Sequence, residues 1–294
     1  MAQMHFGSIS ILTKIQGRYV AMSTAEKALA DFILDNAASV VQMTIAQLAS
    51  DSGTSYSTVC RFCQGLGFDG YKSFKKGLTQ DIISAGPQET DFADFELVRG
   101  ESVRQICEKT FHLFSGILTD CAALLNLETL ENAVATITKA NMLYIIGSGA
   151  SAASGLYAHT RLLRLGIPCS VEADPTIFQM KAALMRKGDV LLAISSSGRT
   201  STIIQAANTA KAMDAAVISI SDYNVSPLQR YSDINLYTTA RNAGKHVNVD
   251  MPLTIGQIAL IDILYSCCGA ALGEKGRQFY ESTKGAADIG KSKI

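Results

Sequence analysis

Short apolar runs alternate with amphipathic helical segments through the second half of the chain. Continuous runs at 142–146, 190–194 and 216–220 predict strands that are buried on both faces of a sheet. Shorter runs at 169–171 and 234–237 add two further strands. Because the segments between these runs have helical spacing, the pattern predicts a doubly wound parallel α/β domain.

The first third of the chain shows helical periodicity instead. Ser23 followed by Glu26 predicts a capping box at the start of the first strong helix. A second helix follows Thr44 and ends at Gly53, and a third begins at Ser55 after a brief turn. Two short helices joined by a glycine turn form a helix-turn-helix pattern, although an ordinary helical hairpin has the same spacing.

These two patterns divide the chain into domains. We expect an all-α helix-turn-helix domain at 1–83, a linker at 84–100, an α/β domain with its preceding helices at 101–272 and a C-terminal tail at 273–294. A length of 294 residues and a hydrophobic fraction of 48% are sufficient for two cores. The predicted fold class is therefore α/β, with an all-α domain preceding the doubly wound parallel domain.

Charge and cysteine content narrow the function classes. The 26 basic and 26 acidic residues cancel, so any contact with nucleic acid must come from a local surface. Seven cysteines, an odd number, indicate reduced intracellular thiols. Cys60 and Cys63 share one face of a predicted helix and have no second pair, so core packing is expected there and no metal site is assigned.

The sequence shows no recognisable targeting signal. The N-terminus has no basic run followed by an apolar segment, and no uninterrupted apolar segment approaches membrane-spanning length. We therefore expect a cytoplasmic protein without a membrane partner.

Two loops rich in hydroxyl groups follow two of the predicted strands. The first loop reads G-S-G-A-S at 147–151, and the second reads S-S-S-G-R-T at 195–200. Because a helix follows each loop, backbone N–H groups and the positive end of the helix dipole would favour an anion there. No Lys follows Gly198, as it would in a nucleoside triphosphate loop, so a phosphate monoester fits better. Simple helix capping would also place Ser and Thr at such positions.

The pairing of a G-x-G-x-S loop with a later S-x-S-G-x-T loop resembles the sugar isomerase (SIS) domain, which binds phosphosugars, over residues 130–271. The resemblance implies that both loops bind one phosphate, and Glu172 is expected to face the sugar hydroxyls. The expected ligand-binding residues are Ser148, Gly149, Ser151, Glu172, Ser195, Ser196, Ser197, Gly198 and Thr200.

The segment at 61–75 reads R-F-C-Q-G-L-G-F-D-G-Y-K-S-F-K. It resembles the R-F-C-x-x-L-G-F-x-G-Y-x-x-F-K segment of RpiR-type bacterial transcription regulators, and the resemblance covers residues 9–271. It implies a DNA-binding domain followed by a SIS sensor domain, and a repressor of sugar catabolic genes that acts on a double-stranded operator as a homodimer or homotetramer. The implied effector is a sugar phosphate, with no cofactor and no catalytic residue.

The third helix of the N-terminal domain would enter the major groove of DNA by its N-terminal end. The residues expected to be exposed there are Ser55, Tyr56, Ser57, Thr58 and Arg61. A local basic surplus predicts phosphate contacts from Lys72, Ser73, Lys75 and Lys76. Scattered lysines also occur on solvated helix faces, so charge alone does not decide between these interpretations.

Two other functions fit parts of the sequence. Residues 147–152 also satisfy the dinucleotide pattern G-x-G-x-x-A, with Glu172 at a suitable distance for a ribose contact, although a dinucleotide does not require the second loop. A sugar-phosphate isomerase would need an acid and a base, for which Glu172, His159 and His246 are candidates by residue type alone.

Overall fold

The computed structural model of the chain describes residues 9–85, 100–239 and 254–288. The chain divides into two compact units: the first contains the N-terminal helices, and the second contains the sheet and its surrounding helices. The helices of the first unit are α1 (Ile11–Arg18), α2 (Thr24–Asp35), α3 (Ala37–Val40), α4 (Ile45–Asp51), α5 (Tyr56–Gly65), α6 (Tyr71–Ala85) and α7 (Val103–Leu124).

Helix starts in the first unit follow the expected capping chemistry. Ser23 and Glu26 form the predicted capping box of α2, and Thr44 forms a second box with Gln47 at the start of α4. Between α4 and α5 the chain turns at Gly53, whose φ of 65° suits a residue without a side chain. The predicted helix-turn-helix is therefore confirmed in the described residues.

Apolar residues at helical spacing form the core of this unit. Its buried members come from the six helices α1 to α6 and include Ile15, Leu29, Leu48, Phe62 and Phe74. The ring of Phe74 packs edge-on against Phe62 at a centroid distance of 6.3 Å. This core holds α4 and α5 in the helix-turn-helix arrangement.

The second unit contains a five-stranded parallel sheet. Its elements are α8 (Leu127–Thr138), β1 (Leu143–Gly147), α9 (Ala150–Leu163), β2 (Cys169–Glu172), α10 (Pro175–Ala183), β3 (Val190–Ile194), α11 (Ser201–Ala212), β4 (Ala216–Asp222), β5 (Ile234–Thr238) and α12 (Thr254–Asp288). The strand order is β2-β1-β3-β4-β5, and all four pairings are parallel. The prediction of a doubly wound parallel α/β domain is confirmed.

Successive side chains of the strands enter two separate cores. Ile145 and Leu192 pack with residues of α8, α9 and α12 on one face, whereas Ile146 and Leu191 pack with α10 and α11 on the other. This alternation follows from the two-residue period of a strand. Every residue of β3 is buried, which explains the unbroken apolar run in its sequence.

The direction of the chain across the sheet reverses between β1 and β3. The connection after β1 leads outward to β2, and the chain then returns to β3 on the other side of β1. In sheets of this kind, ligands bind outside the carboxyl ends of the strands at the point of reversal. Gly147 and Ile194, the last residues of β1 and β3, are register partners at that point.

The C-terminal region departs from the sequence-based expectation of a tail. Helix α12 continues to Asp288 and contains one non-helical residue, Gly273, with φ 54° and ψ −130°. Beyond this break, Phe279 lies so close to Gly166 that a Cβ at Gly166 would be 2.4 Å from its ring. The region after residue 273 therefore packs on the end of α9.

Helix α12 also corrects the expectation about apolar segments. The stretch Thr254–Ala286 is long and apolar enough to cross a membrane by length and composition. However, Leu260, Leu264 and Cys268 of this helix are buried in the core of the sheet unit. These three residues place one side of α12 in that core.

The predicted linker at 84–100 is described only in part, and one predicted boundary differs from the observed units. Of the predicted linker, residues 86–99 lie outside the described residues, and α6 extends to Ala85. The long helix α7, which the sequence analysis placed with the SIS domain, is grouped with the first unit by its contacts.

Candidate functional site

The two hydroxyl-rich loops lie side by side at the point where the sheet reverses. Loop 1 (residues 147–151) spans the end of β1 and the start of α9, and loop 2 (residues 195–200) follows β3. Because β1 and β3 are neighbouring parallel strands, both loops face the same edge of the sheet. The structure therefore brings together the two segments that the sequence analysis identified.

Loop 1 is tightly closed around its glycines. A Cβ at Gly147 would be 2.5 Å from the carbonyl oxygen of Ser151, so the first turn of α9 approaches the strand end at backbone distance. Gly149, with φ 57°, forms the N-terminal boundary of α9. Of the two predicted serines, Ser148 is exposed and Ser151 is buried.

Loop 2 is equally constrained. Gly198 has φ 61°, and a Cβ at this position would be 2.3 Å from Oγ of Ser226. Its carbonyl oxygen accepts a hydrogen bond of 3.2 Å from the N–H of Leu228. Ser197 is exposed, and its Oγ accepts a 3.2 Å hydrogen bond from the N–H of Arg199. The loop is therefore held by backbone contacts and not by the hydroxyls alone.

The helices that follow the two loops lack side-chain caps. Neither Gly149 at α9 nor Thr200 at α11 makes a capping hydrogen bond. By contrast, Asp174 caps the neighbouring α10 by accepting bonds from Thr176 and Ile177. Simple capping therefore does not explain Thr200, and the positive ends of two helix dipoles face the crevice.

The hydroxyls of loop 2 contact one another across the loop. Oγ of the buried Ser195 lies 3.3 Å from Oγ1 of Thr200. Ser196 is half-buried, and its carbonyl oxygen accepts a 2.9 Å bond from the N–H of Asp222 at the end of β4. Two hydroxyls thus lie close together in loop 2, and hydroxyl donors of this kind suit an anion with several acceptor oxygens.

Gln257 joins the site from α12 and was not found in the sequence analysis. Its fully buried side chain donates from Nε2 to Oγ of Ser151 at 3.2 Å and to Oγ of Ser196 at 2.9 Å. The signal in the sequence was a single amide between Ile255 and Ile258 at the start of an apolar helix. Only the fold shows that this amide links the two loops.

Glu172 lies at the carboxyl end of β2, beside β1. Its Oε1 accepts bonds from the N–H groups of Ala173 at 3.0 Å and Asp174 at 3.1 Å, and its Oε2 lies 3.4 Å from Nζ of Lys181. The bond from Asp174 is the main cause that lowers the pKa of the Glu172 carboxyl. Glu172 is thus an ionised group held by its own turn.

The other acid-base candidates add little to this site. His159 lies in the third turn of α9, about 13 Å along the helix axis from Ala150. His246 lies outside the described residues.

Among residues 9–85, 100–239 and 254–288, no group of three or more His, Cys, Asp or Glu could hold a metal ion. Burial raises the pKa of the Cys63 thiol to about 12, as expected for a packed cysteine.

The helix-turn-helix presents one face of α5 to solvent. Tyr56 is 60% exposed, and Ser57 and Arg61 are also exposed. Gln64 shares this face at helical spacing and was missed because a single glutamine carries no distinctive pattern. Thr58 corrects the prediction: it is only 6% exposed because position 58 faces the core one turn before Phe62.

Ser55 is exposed but already has a structural role. Its Oγ accepts a 3.1 Å bond from the N–H of Thr58 and lies 2.8 Å from Oγ of Ser57. Ser55 is therefore the cap of α5.

The basic residues of α6 are of two kinds. Lys72 and Lys76 are exposed, as phosphate contacts require. Nζ of Lys75 donates instead to the carbonyl oxygen of Met43 at 2.8 Å. Oγ of Ser73 donates to the carbonyl oxygen of Gly70 at 2.9 Å. Lys75 and Ser73 therefore stabilise the helix-turn-helix whether or not they also contact DNA.

Comparison with known proteins gives the same two-part organisation. The helix-turn-helix domain of the rpiR family matches residues 9–85, and the SIS domain matches residues 136–254. An HTH-type transcriptional regulator of Caldanaerobacter subterraneus is 29% identical over 255 residues, which cover 87% of this chain and 89% of that protein. The HTH-type transcriptional regulator HexR of Pseudomonas aeruginosa is 28% identical over 257 residues, 87% of each chain.

A solved structure resembles the chain over nearly its whole length. The NanR protein of Vibrio vulnificus, in complex with ManNAc-6P, has a TM-score of 0.57 and 27% sequence identity. The similarity covers 96% of this chain and 99% of that one.

Proposed function

The chain belongs to the RpiR family of transcriptional regulators with a helix-turn-helix domain and a SIS domain, and from this premise we propose that it represses sugar catabolic genes in response to a phosphorylated sugar. The helix-turn-helix binds double-stranded operator DNA, and the crevice between loop 1 and loop 2 binds the effector. The cytoplasm is the compartment in which such a regulator would meet both.

One observation carries the effector proposal. Two helices, α9 and α11, start without side-chain caps at the reversal point of the sheet, and hydroxyl groups surround both starts. Helix N-termini of this kind favour phosphate because their N–H groups and dipoles act on the same anion. The neutral composition of the whole chain does not oppose this, since the attraction is local.

Binding of a phosphorylated sugar is supported by a relative as well. NanR was solved with ManNAc-6P, a phosphorylated amino sugar, and is similar to this chain over both domains. We propose a ligand of the same broad class here, with its phosphate at Ser148, Ser151, Ser195, Ser197 and Thr200. Glu172 would accept hydrogen bonds from sugar hydroxyls through the lone pairs that its own turn leaves.

The dinucleotide alternative is less well supported by the fold. The sheet order β2-β1-β3-β4-β5 is that of flavodoxin-like domains, whereas dinucleotide-binding domains have the order 3-2-1-4-5-6. A dinucleotide would also leave the hydroxyls of loop 2 without a role. A titration with NAD(H) that changes neither fluorescence nor thermal stability would agree with this assignment.

For DNA, we propose that Tyr56, Ser57, Arg61 and Gln64 read base edges and that Lys72 and Lys76 contact phosphates. The first group lies on one exposed face of α5, the second helix of the motif. A homodimer or homotetramer would place two such helices on an inverted repeat.

A thermal-shift screen of sugar phosphates tests the proposal. At a concentration of about 100 Kd, a true effector stabilises the protein by about 2.7 kcal/mol, which raises Tm by about 5–10 °C. The matched unphosphorylated sugars are the control and should give no shift. A response to sugars with and without phosphate alike would contradict the phosphate site, and no effect of a stabilising ligand on operator binding would contradict the sensor role.

A further inference from the structure

Gln257 occupies a position that the proposed function does not yet explain. Its side chain is fully buried, and both protons of its amide nitrogen are used by hydroxyl oxygens, one in each loop. Its Oε1 is buried and has no hydrogen-bond partner among the described residues. A core helix that needed only to pack would place an apolar residue here, because an amide has four hydrogen-bonding sites to satisfy.

The direction of these two hydrogen bonds decides what the serines can do. A hydroxyl has one proton and two lone pairs. When Nε2 of Gln257 donates to Oγ of Ser151 and Ser196, lone pairs of both hydroxyls point to the amide, and their protons point elsewhere. Both serines are thereby prepared to donate.

A phosphate dianion can only accept hydrogen bonds, so it needs hydroxyls in this donor orientation. We propose that Gln257 is a positioning residue that sets Ser151 and Ser196 as donors to the effector phosphate. The inference rests on the proposed function, because it assumes that the anion binds between the two loops.

Gln257→Glu gives the sharpest test because it preserves the shape of the side chain and replaces a hydrogen-bond donor with an acceptor. A carboxylate accepts from both serines, which turns their protons away from the phosphate, and its charge repels an anion. We expect the variant to lose about 100-fold in affinity for inorganic phosphate at pH 7.5. Gln257→Met, of similar volume, removes the orienting bonds without adding charge, and we expect a loss of about tenfold.

A pH series separates orientation from packing. Sulfate is the probe for this series because, unlike phosphate, it stays a dianion over the whole range. As pH falls from 8 to 5, protonation of the new carboxyl of Gln257→Glu removes its charge and restores one donor. We expect its sulfate affinity to recover relative to the wild type, whereas Gln257→Met should keep a constant ratio to the wild type.

Each result has a defined meaning. If Gln257→Glu binds phosphate better than Gln257→Met at pH 7.5, the amide acts as an acceptor or only as a packing group, and the inference is wrong. If Gln257→Glu does not fold, wild-type phosphate affinity in Gln257→Met would equally overturn it. Failure of the proposed function looks different: neither anion would stabilise the wild type, or Ser197→Ala would bind both anions as the wild type does.

Discussion

Helices begin in two different ways in the two regions of this molecule. In the helix-turn-helix, Oγ1 of Thr44 accepts the N–H of Gln47 at 3.2 Å, and Oγ of Ser55 accepts the N–H of Thr58 at 3.1 Å. At the sheet reversal, Thr200 stands at the same position of α11, but its hydroxyl makes no cap and contacts Ser195 instead. The same residue types thus have different partners in the two regions.

The difference shows how a protein divides hydroxyl groups between stability and binding. A capping hydroxyl contributes about 1 kcal/mol to the folded state and is then unavailable to a ligand. An uncapped helix start gives up that contribution and keeps its donors for an anion. Removing a capping hydroxyl in the first region should therefore change stability, and removing a hydroxyl at the sheet reversal should change the response to the effector.

The largest effect is expected for the double substitution Ser197→Ala with Thr200→Ala. Each hydrogen bond to a charged group is worth about 1.5–3 kcal/mol, so effector affinity should fall by about two orders of magnitude or more. Operator binding without effector should be unchanged, since the residues proposed to contact DNA belong to the helix-turn-helix. Gel-shift titrations with and without the effector measure both. Loss of DNA binding in the double variant alone would show that these hydroxyls are structural.

A comparison of two glycines sharpens the contrast in loop geometry. Gly198 and Gly53 have nearly equal φ angles of 61° and 65°, but a Cβ at Gly198 would be 2.3 Å from Ser226, whereas nothing lies within 4 Å of one at Gly53. Gly198→Ala combines backbone strain with overpacking and should destabilise the protein by about 2–4 kcal/mol.

Gly53→Ala is the matched control and should lose only about 1–2 kcal/mol, from the left-handed backbone alone. Urea unfolding followed by circular dichroism measures both free energies of unfolding. Equal losses in the two variants would mean that loop 2 relaxes freely around Ser226.

Substitutions of two basic residues of the helix-turn-helix unit should change DNA binding in different ways. Arg61→Ala should weaken operator binding by about 1–3 kcal/mol and relax the preference at one base pair, because we propose that this exposed side chain of α5 reads a base edge. Lys72→Ala should weaken all DNA sequences alike and reduce the salt slope by about one. Binding to operator variants over a salt series distinguishes them. A uniform loss for Arg61→Ala would reassign it to phosphate contact.

A smaller effect is expected when a cap is removed. Ser55→Ala removes the hydroxyl that accepts the N–H of Thr58, which should lower the free energy of unfolding by about 1 kcal/mol. The effector-induced thermal shift should remain. Ser55→Asp, which can also cap, is the control and should recover most of the stability. An altered effector response in Ser55→Ala would contradict the division between the two kinds of helix start.

The smallest effect concerns thermal stability at acidic pH. Hydrogen bonds from the backbone N–H and the hydroxyl of Ser23 lower the pKa of the Glu26 carboxyl in the capping box of α2. A lowered folded pKa gives stability that is present at neutral pH and is lost as pH falls through that pKa. Tm should therefore fall between pH 6 and pH 3 slightly more in the wild type than in Glu26→Gln. Parallel curves would show that this box contributes nothing to the pH dependence.

Much of the fold follows from the sequence because its signals are local. The central strands β1, β3 and β4 appear as mainly apolar runs, since strands buried on both faces need apolar residues at most positions. The capping box of α2 and the glycine turn of the helix-turn-helix are readable for the same reason. The loop pair was also visible, because both loops consist of consecutive Ser, Gly and Thr residues next to a strand.

The tertiary structure decided what local pattern cannot express. Thr58 is buried in the core, and Nζ of Lys75 donates to the backbone carbonyl of Met43. The packing of α12 places Gln257 within hydrogen-bonding distance of Ser151 and Ser196. In each case the deciding partner lies on another element or on the far side of the same helix. The sequence determined which chemical groups were available and where most helices and strands would form, and the packing of those elements determined which groups met.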